Sequence, residues 1–136
     1  MDSRPLMTLK VLVVGTQKIG AVPHGTRVTA LVGGGHFEGP RLRGKVLPGA
    51  GDWTLLRADG VLELDLRLTL ETDDGALIHM TFEGIRDDGA PGAPYFRTLP
   101  RFDTGSPKYD FLNRLLAVST GDRRPEGPIY TIDEIL

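Results

Sequence analysis

An all-β fold, a single closed or nearly closed antiparallel β-barrel of about nine strands with one short helical turn, is what this 136-residue chain predicts. Three observations point to it. Leu62, Leu64, Leu66, Leu68 and Leu70 alternate strictly with Glu63, Asp65, Arg67, Thr69 and Glu71, the period of two that belongs to a strand with unlike faces. The chain holds 18 glycines and 10 prolines, which favours many short strands joined by tight turns over a few long helices. Turn signals recur about every eight to twelve residues, the spacing of a sandwich or barrel. A barrel is preferred because closure removes sheet edges, and the longest strands carry few edge-blunting residues.

Taken in chain order, residues 7–14 and 27–32 read as strands, and 41–47 follows a Gly39-Pro40 turn. Residues 53–57 lead through Asp59-Gly60 into 61–71. Thr72-Asp73-Asp74-Gly75 then turns the chain into 77–83, where Ile78, Met80 and Phe82 share one side. Residues 95–99, 115–119 and 129–135 complete the set. The helical candidate is 108–114, where Tyr109, Leu112 and Asn113 have helix-like spacing over two turns at most. Residues 84–94 form the longest loop, a candidate flap. With no repeat and no linker, residues 1–136 are read as one domain.

Composition excludes several classes of function. Sixteen basic and 18 acidic residues are mixed along the chain with a net charge of -2, so no broad positive field gathers nucleic acid. The absence of cysteine removes disulfides, thiolate nucleophiles and cysteine metal sites, and fits a reducing, cytoplasmic compartment. The apolar run near the N-terminus is short and broken by Lys10, so neither a secretory signal nor a membrane span is expected. Gly33-Gly34-Gly35 suggests a phosphate cradle, but no Lys-Ser or Lys-Thr follows, Pro40 interrupts, and a strand comes next. A bulged, sharply bent barrel corner is the expected use of these glycines.

Three stretches carry a family resemblance. They are residues 33–40 (GGGHFEGP) with 44–53 (GKVLPGAGDW), then Leu64-Asp65-Leu66-Arg67 with Asp73-Asp74-Gly75-Ala76, then Tyr95-Phe96-Arg97-Thr98. In order and spacing the chain resembles the family labelled domain of unknown function 3237, over nearly its whole length from Leu6, including 109–113 and 129–132. The resemblance implies a calycin-like β-barrel and no settled activity.

Asp65 and Arg67 lie two apart on one strand, so both side chains address the same space. His79, Thr81 and Glu83 present a second polar row across the hairpin. Tyr95 and Arg97, with Asp65 and Arg67, fall on positions that recur in the family's motifs. These four are the expected catalytic residues: Asp65 moving a proton, the two arginines holding a carboxylate or enolate oxygen, and Tyr95 exchanging a second proton. Trp53, His36, His79, Tyr109 and Asn113 are the expected ligand-binding residues. The alternatives are a solvent-facing ion pair or an internal ion-pair network for Asp65 and Arg67, and a barrel plug for Trp53. No metal is expected, because His24, His36 and His79 lack ligand spacing; no cofactor motif is present either. The resulting expectation is a cofactor-independent lyase, decarboxylase or isomerase acting on a small aromatic or keto compound. A non-catalytic carrier or sensor of a hydrophobic metabolite is the alternative, and a two-fold homodimer is the default assembly.

Overall fold

In the computed structural model, which describes residues 1–136, every alternating segment of the sequence is a strand. In chain order these are β1 (Ser3–Val22), β2 (Gly25–Glu38), β3 (Arg43–Val46), β4 (Ala50–Arg57), β5 (Leu62–Thr72), β6 (Leu77–Asp87), β7 (Tyr95–Asp103), β8 (Ala117–Asp122) and β9 (Ile129–Ile135). Between β7 and β8 lies one 3-10 helix, Pro107–Arg114. Proline at its start is well tolerated, since the first turn of a helix has no use for that N–H.

Several boundaries differ from expectation, among them the end of β7 at Asp103 instead of 99 and of β8 at Asp122 instead of 119. β1 and β2 run well past 14 and 32, because they pair with each other as one long hairpin from Thr8↔Glu38 to Val22↔Gly25. The glycine run therefore lies inside β2, opposite register shifts in β1 between Leu12 and Gly15, which is the bulged bend expected of it. Gly35 has a φ of 141°, and a Cβ there would sit 2.0 Å from the Lys10 carbonyl oxygen, so only glycine lets the two backbones come this close. β6 continues to Asp87, which shortens the 84–94 loop to the residues between Asp87 and Tyr95.

All pairings are antiparallel, and the sheet closes on itself. The order runs β1-β9-β8-β7-β6-β5, then through β3 and β4 to β2, and β2 returns to β1. β3 pairs with the late residues of β2 and β5 (Phe37↔Gly44, Gly44↔Thr72), whereas β4 pairs with their earlier residues (Thr29↔Trp53, Asp52↔Leu66). The two short strands thus lie end to end in one place, so nine strands fill eight positions around the ring. Eight positions enclose an interior just wide enough for side chains or for one small ligand.

The faces are settled by burial. Leu64, Leu66, Leu68 and Leu70 of β5 point inward with Ile78, Met80 and Phe82 of β6 and Phe96 and Phe102 of β7, and all are buried. One end of the ring is plugged by the helix, whose Tyr109 and Leu112 are buried. Asp74 in the β5–β6 turn clasps it there, accepting hydrogen bonds from Thr72 Oγ1 at 2.5 Å, Lys108 Nζ at 2.7 Å and Tyr109 Oη at 2.9 Å. At the same end Glu134 is buried and pairs with Arg4 and with Arg41, whose guanidinium lies 4.2 Å from the centre of the Phe111 ring. No helix is long and apolar enough to cross a membrane.

Candidate functional site

At the end of the ring opposite the helix the side chains do not meet, leaving a cavity of about 320 Å³. Its apolar walls include Leu62, Leu64 and Leu66 from β5 and Phe96 from β7. Polar side chains interrupt them: Thr16 from β1, Asp52 and Thr54 from β4, Arg86 from β6, Tyr130 from β9, and Arg123 and Arg124 from the connection after β8. Small-molecule sites combine these features, a mostly apolar concavity with a few convergent polar groups.

Asp52 is the acid of this interior. Only 7% of it is exposed, and burial pushes its carboxyl up from 3.8 to about 6. The hydrogen bond from the Asp65 backbone amide to Oδ1, at 3.0 Å, works against that rise; the negative charge of Asp65 adds to it, and the Arg86 guanidinium opposes it. The pairing of β4 with β5 passes from Asp52↔Leu66 directly to Leu55↔Glu63, so in the gap the Asp52 carboxylate supplies the acceptor that a backbone carbonyl would otherwise provide. Thr54, the next inward residue, is satisfied by donating to the Val28 carbonyl at 2.7 Å.

Arg86 and Tyr130 are not satisfied. Arg86 Nε is buried and lies 3.2 Å from Asp88 Oδ1 in a geometry that makes no hydrogen bond, and Tyr130 Oη is buried without a partner. Buried polar atoms are nearly always paired, since an orphan costs roughly 1–3 kcal/mol. Both orphans belong to residues that line the cavity. The Tyr130 ring is fixed edge-on between Phe82 and Phe96, at centroid distances of 4.8 and 5.5 Å. Burial pushes its phenol well above the ordinary value, helped by the charge of Asp52 and opposed by Arg86, so it stays protonated and available as a donor.

A family model described as "Protein of unknown function (DUF3237)" matches residues 1–135 of the chain. The chain belongs to the DUF3237 family. A structure of a "beta-barrel like protein" from Acinetobacter baumannii AYE resembles it at 32% identity and a TM-score of 0.93, covering 98% of this chain and 94% of the other. A protein with unknown function from Clostridium acetobutylicum aligns at 32% identity and a TM-score of 0.91, covering 100% and 97%. An enzyme from Penicillium herquei shares the fold at a TM-score of 0.83 and 22% identity, covering 99% and 94%.

In this DUF3237 chain the residues expected to be catalytic stand outside the ring. Because the β5 leucines fill the interior, Asp65 and Arg67 face outward, 3.6 Å apart as an ion pair. Tyr95 and Arg97 lie on the outer face of β7, with the guanidinium 4.9 Å from the centre of the tyrosine ring and donating to the Phe96 carbonyl at 2.9 Å. The four therefore do not line the interior cavity, and Asp65 and Arg67 form the solvent-facing ion pair that the sequence left open as the alternative. Trp53 also points outward, 43% exposed under the Arg67 guanidinium, and plugs nothing. His36 and His79 are exposed, near the plugged end of β2 and β6. Tyr109 belongs to the plug, and Asn113 braces the turn before it through Thr104 N and O at 2.8 and 2.9 Å. None of the five expected ligand-binding residues reaches the cavity.

Arg86 and Tyr130 carry a signal of position in the sequence. Arg86 has the same parity as Ile78, Met80 and Phe82, but the sequence reading ended that strand at 83. Tyr130 shares its face with Ile132. Asp52 is hidden by its neighbours, because the inward residues of β4 are small or polar and give no apolar stripe to mark the face.

Proposed function

We infer that this DUF3237 chain binds one small aromatic or keto compound inside the ring and moves a proton on it without a cofactor, as a lyase, decarboxylase or isomerase does. The observation that carries this is a buried carboxyl beside two unpartnered donors in an otherwise apolar cavity. A carboxyl raised to about 6 is largely ionised at pH 7.5 yet basic enough to take a proton from a carbon beside a carbonyl. The negative charge then appears on the carbonyl oxygen, where Arg86 and Tyr130 have hydrogen bonds to give. The proton returns from Asp52 to the same carbon or to a neighbouring atom. At the share of ~30 Å³ per water in the liquid, the cavity has room for about ten waters, which suits a molecule of one or two rings.

Exchange of carbon-bound hydrogen for deuterium tests this without knowledge of the natural substrate. The protein is incubated in D2O with a panel of aryl ketones and aromatic keto acids, and the signal of the hydrogens beside the carbonyl is followed by proton NMR. Catalysed exchange in at least one compound is expected, slowed on the order of 10²-fold or more by Asp52→Asn. A second reading, a carrier of a hydrophobic metabolite, is favoured by the leucine-rich wall. Compounds that shift the Phe96 and Tyr130 ring signals but never exchange would contradict the enzyme reading and support the carrier.

A further inference from the structure

The mouth of the cavity is edged by two consecutive arginines, Arg123 and Arg124, on the connection between β8 and β9. That connection is built rather than loose. Val11 N donates to Pro128 O and Val13 N to Glu126 O, each at 3.1 Å, which ties it to β1. Gly127 N closes a turn onto Arg124 O, also at 3.1 Å. Gly127 has a φ of 139°, and a Cβ there would lie 1.9 Å from Val11 O, so glycine is required for the strap to lie this close to the strand.

The two arginines at the mouth are held by exposed carboxylates. Arg124 is held by Asp122 at 2.7 Å, Arg123 lies 3.6 Å from Asp88, and the same Asp88 lies 3.2 Å from Arg86. Arg123 and Arg124 line the cavity, whereas their partners Asp88 and Asp122, and the nearby Glu126, are not part of its wall. The Arg123 and Arg124 pairs are solvent-exposed, so exchanging their partners for a ligand oxygen costs little. Guanidinium groups match a planar carboxylate with two parallel hydrogen bonds.

We propose that the molecule taken by this cavity is a monocarboxylate, its carboxylate held at the mouth by Arg123 and Arg124 and its ring or keto oxygen reaching Arg86 and Tyr130 within. This rests on the cavity being a ligand site, and it adds the class of ligand. A second anionic group would face the Asp52 carboxylate inside the same cavity, so a monoanion fits better than a dianion.

Two isosteric compounds differing in charge test it: 2-naphthoate and 2-naphthamide, titrated at pH 7.5 and low salt. Site occupancy is read from the Phe96 and Tyr130 ring signals and Kd from the titration. Naphthoate is expected to bind about tenfold or more tightly than naphthamide. In Arg123→Gln/Arg124→Gln that preference should vanish while naphthamide binding stays within about twofold, since both residues are exposed and the fold does not depend on them. Equal affinity for the two compounds, or a preference that survives the double substitution, overturns the carboxylate inference and leaves the cavity reading intact. Failure of both compounds to bind overturns the inference together with the cavity reading beneath it.

Discussion

The backbone amide of Asp65 donates to the carboxylate of Asp52 at 3.0 Å, so two acids on neighbouring strands are joined although their side chains face opposite ways. The Asp65 side chain stands in water on the outer face, while Asp52 sits in the wall of the interior cavity. The amide bond fixes the Asp52 side chain without supplying enough charge to offset its burial, and its carboxyl therefore stays raised. This arrangement is unfavourable for stability and suited to proton transfer, and its consequences are measurable.

Asp52→Asn should stabilise the protein at alkaline pH. A carboxyl raised on folding from 3.8 to about 6 holds its proton more tightly in the folded state. Stability from this group is therefore full below pH 4, falls as pH rises through 6, and stays low above it. The shift corresponds to roughly 3 kcal/mol lost at pH 8. Asparagine still offers an acceptor to the Asp65 amide. Urea unfolding is expected to show the variant more stable than the parent at pH 8 and the difference shrinking toward zero near pH 4.

Tyr130→Phe removes a buried hydroxyl that has no partner, while the ring keeps its edge contacts with Phe82 and Phe96. The free protein should gain about 1 kcal/mol in urea unfolding, because the orphan group is expensive to bury. Binding of any keto compound that occupies the cavity should weaken in the same variant, as seen by titration.

Asp65→Asn should leave deuterium exchange within about twofold of the parent, since the amide that holds Asp52 is unchanged and the side chain is paired only on the surface. It should also lower the Asp52 titration slightly, because the negative charge of Asp65 helps to raise it. Loss of exchange in Asp65→Asn with retention in Asp52→Asn would return the chemistry to the outer face.

The strands were legible because β5 and β6 alternate without a break, and the turn between them is written in Asp73-Asp74-Gly75. Alternation separates two faces but does not say which one is interior. Leu62 through Leu70 could have packed outward against another layer, leaving Asp65 and Arg67 to line a cavity; closure of the ring around the leucines decides the matter, and closure is a property of nine strands together. The candidate site was less visible for the same reason. Asp52, Arg86 and Tyr130 come from β4, β6 and β9, which meet only when the ring is closed, and Asp52 lies beside a tryptophan that points the other way.

Asp74→Asn should loosen the plugged end. Its carboxylate is held well below the ordinary range by hydrogen bonds from Lys108, Thr72 and Tyr109. Such a group contributes stability that is present above the ordinary carboxylate pKa and is lost as pH falls through the lowered value. The variant should unfold at a lower temperature than the parent at pH 7, with the gap closing in strong acid; calorimetry across that range reads the difference.

The most direct measurement is a titration of the Asp52 carboxyl carbon by carbon-13 NMR in the ligand-free protein, assigned by comparison with Asp52→Asn. A midpoint near 6 is the predicted result, and it would place a poised acid inside the ring beside Arg86 and Tyr130. A midpoint near 4, the value of an ordinary solvated carboxyl, would contradict it and remove Asp52 as the group that moves the proton.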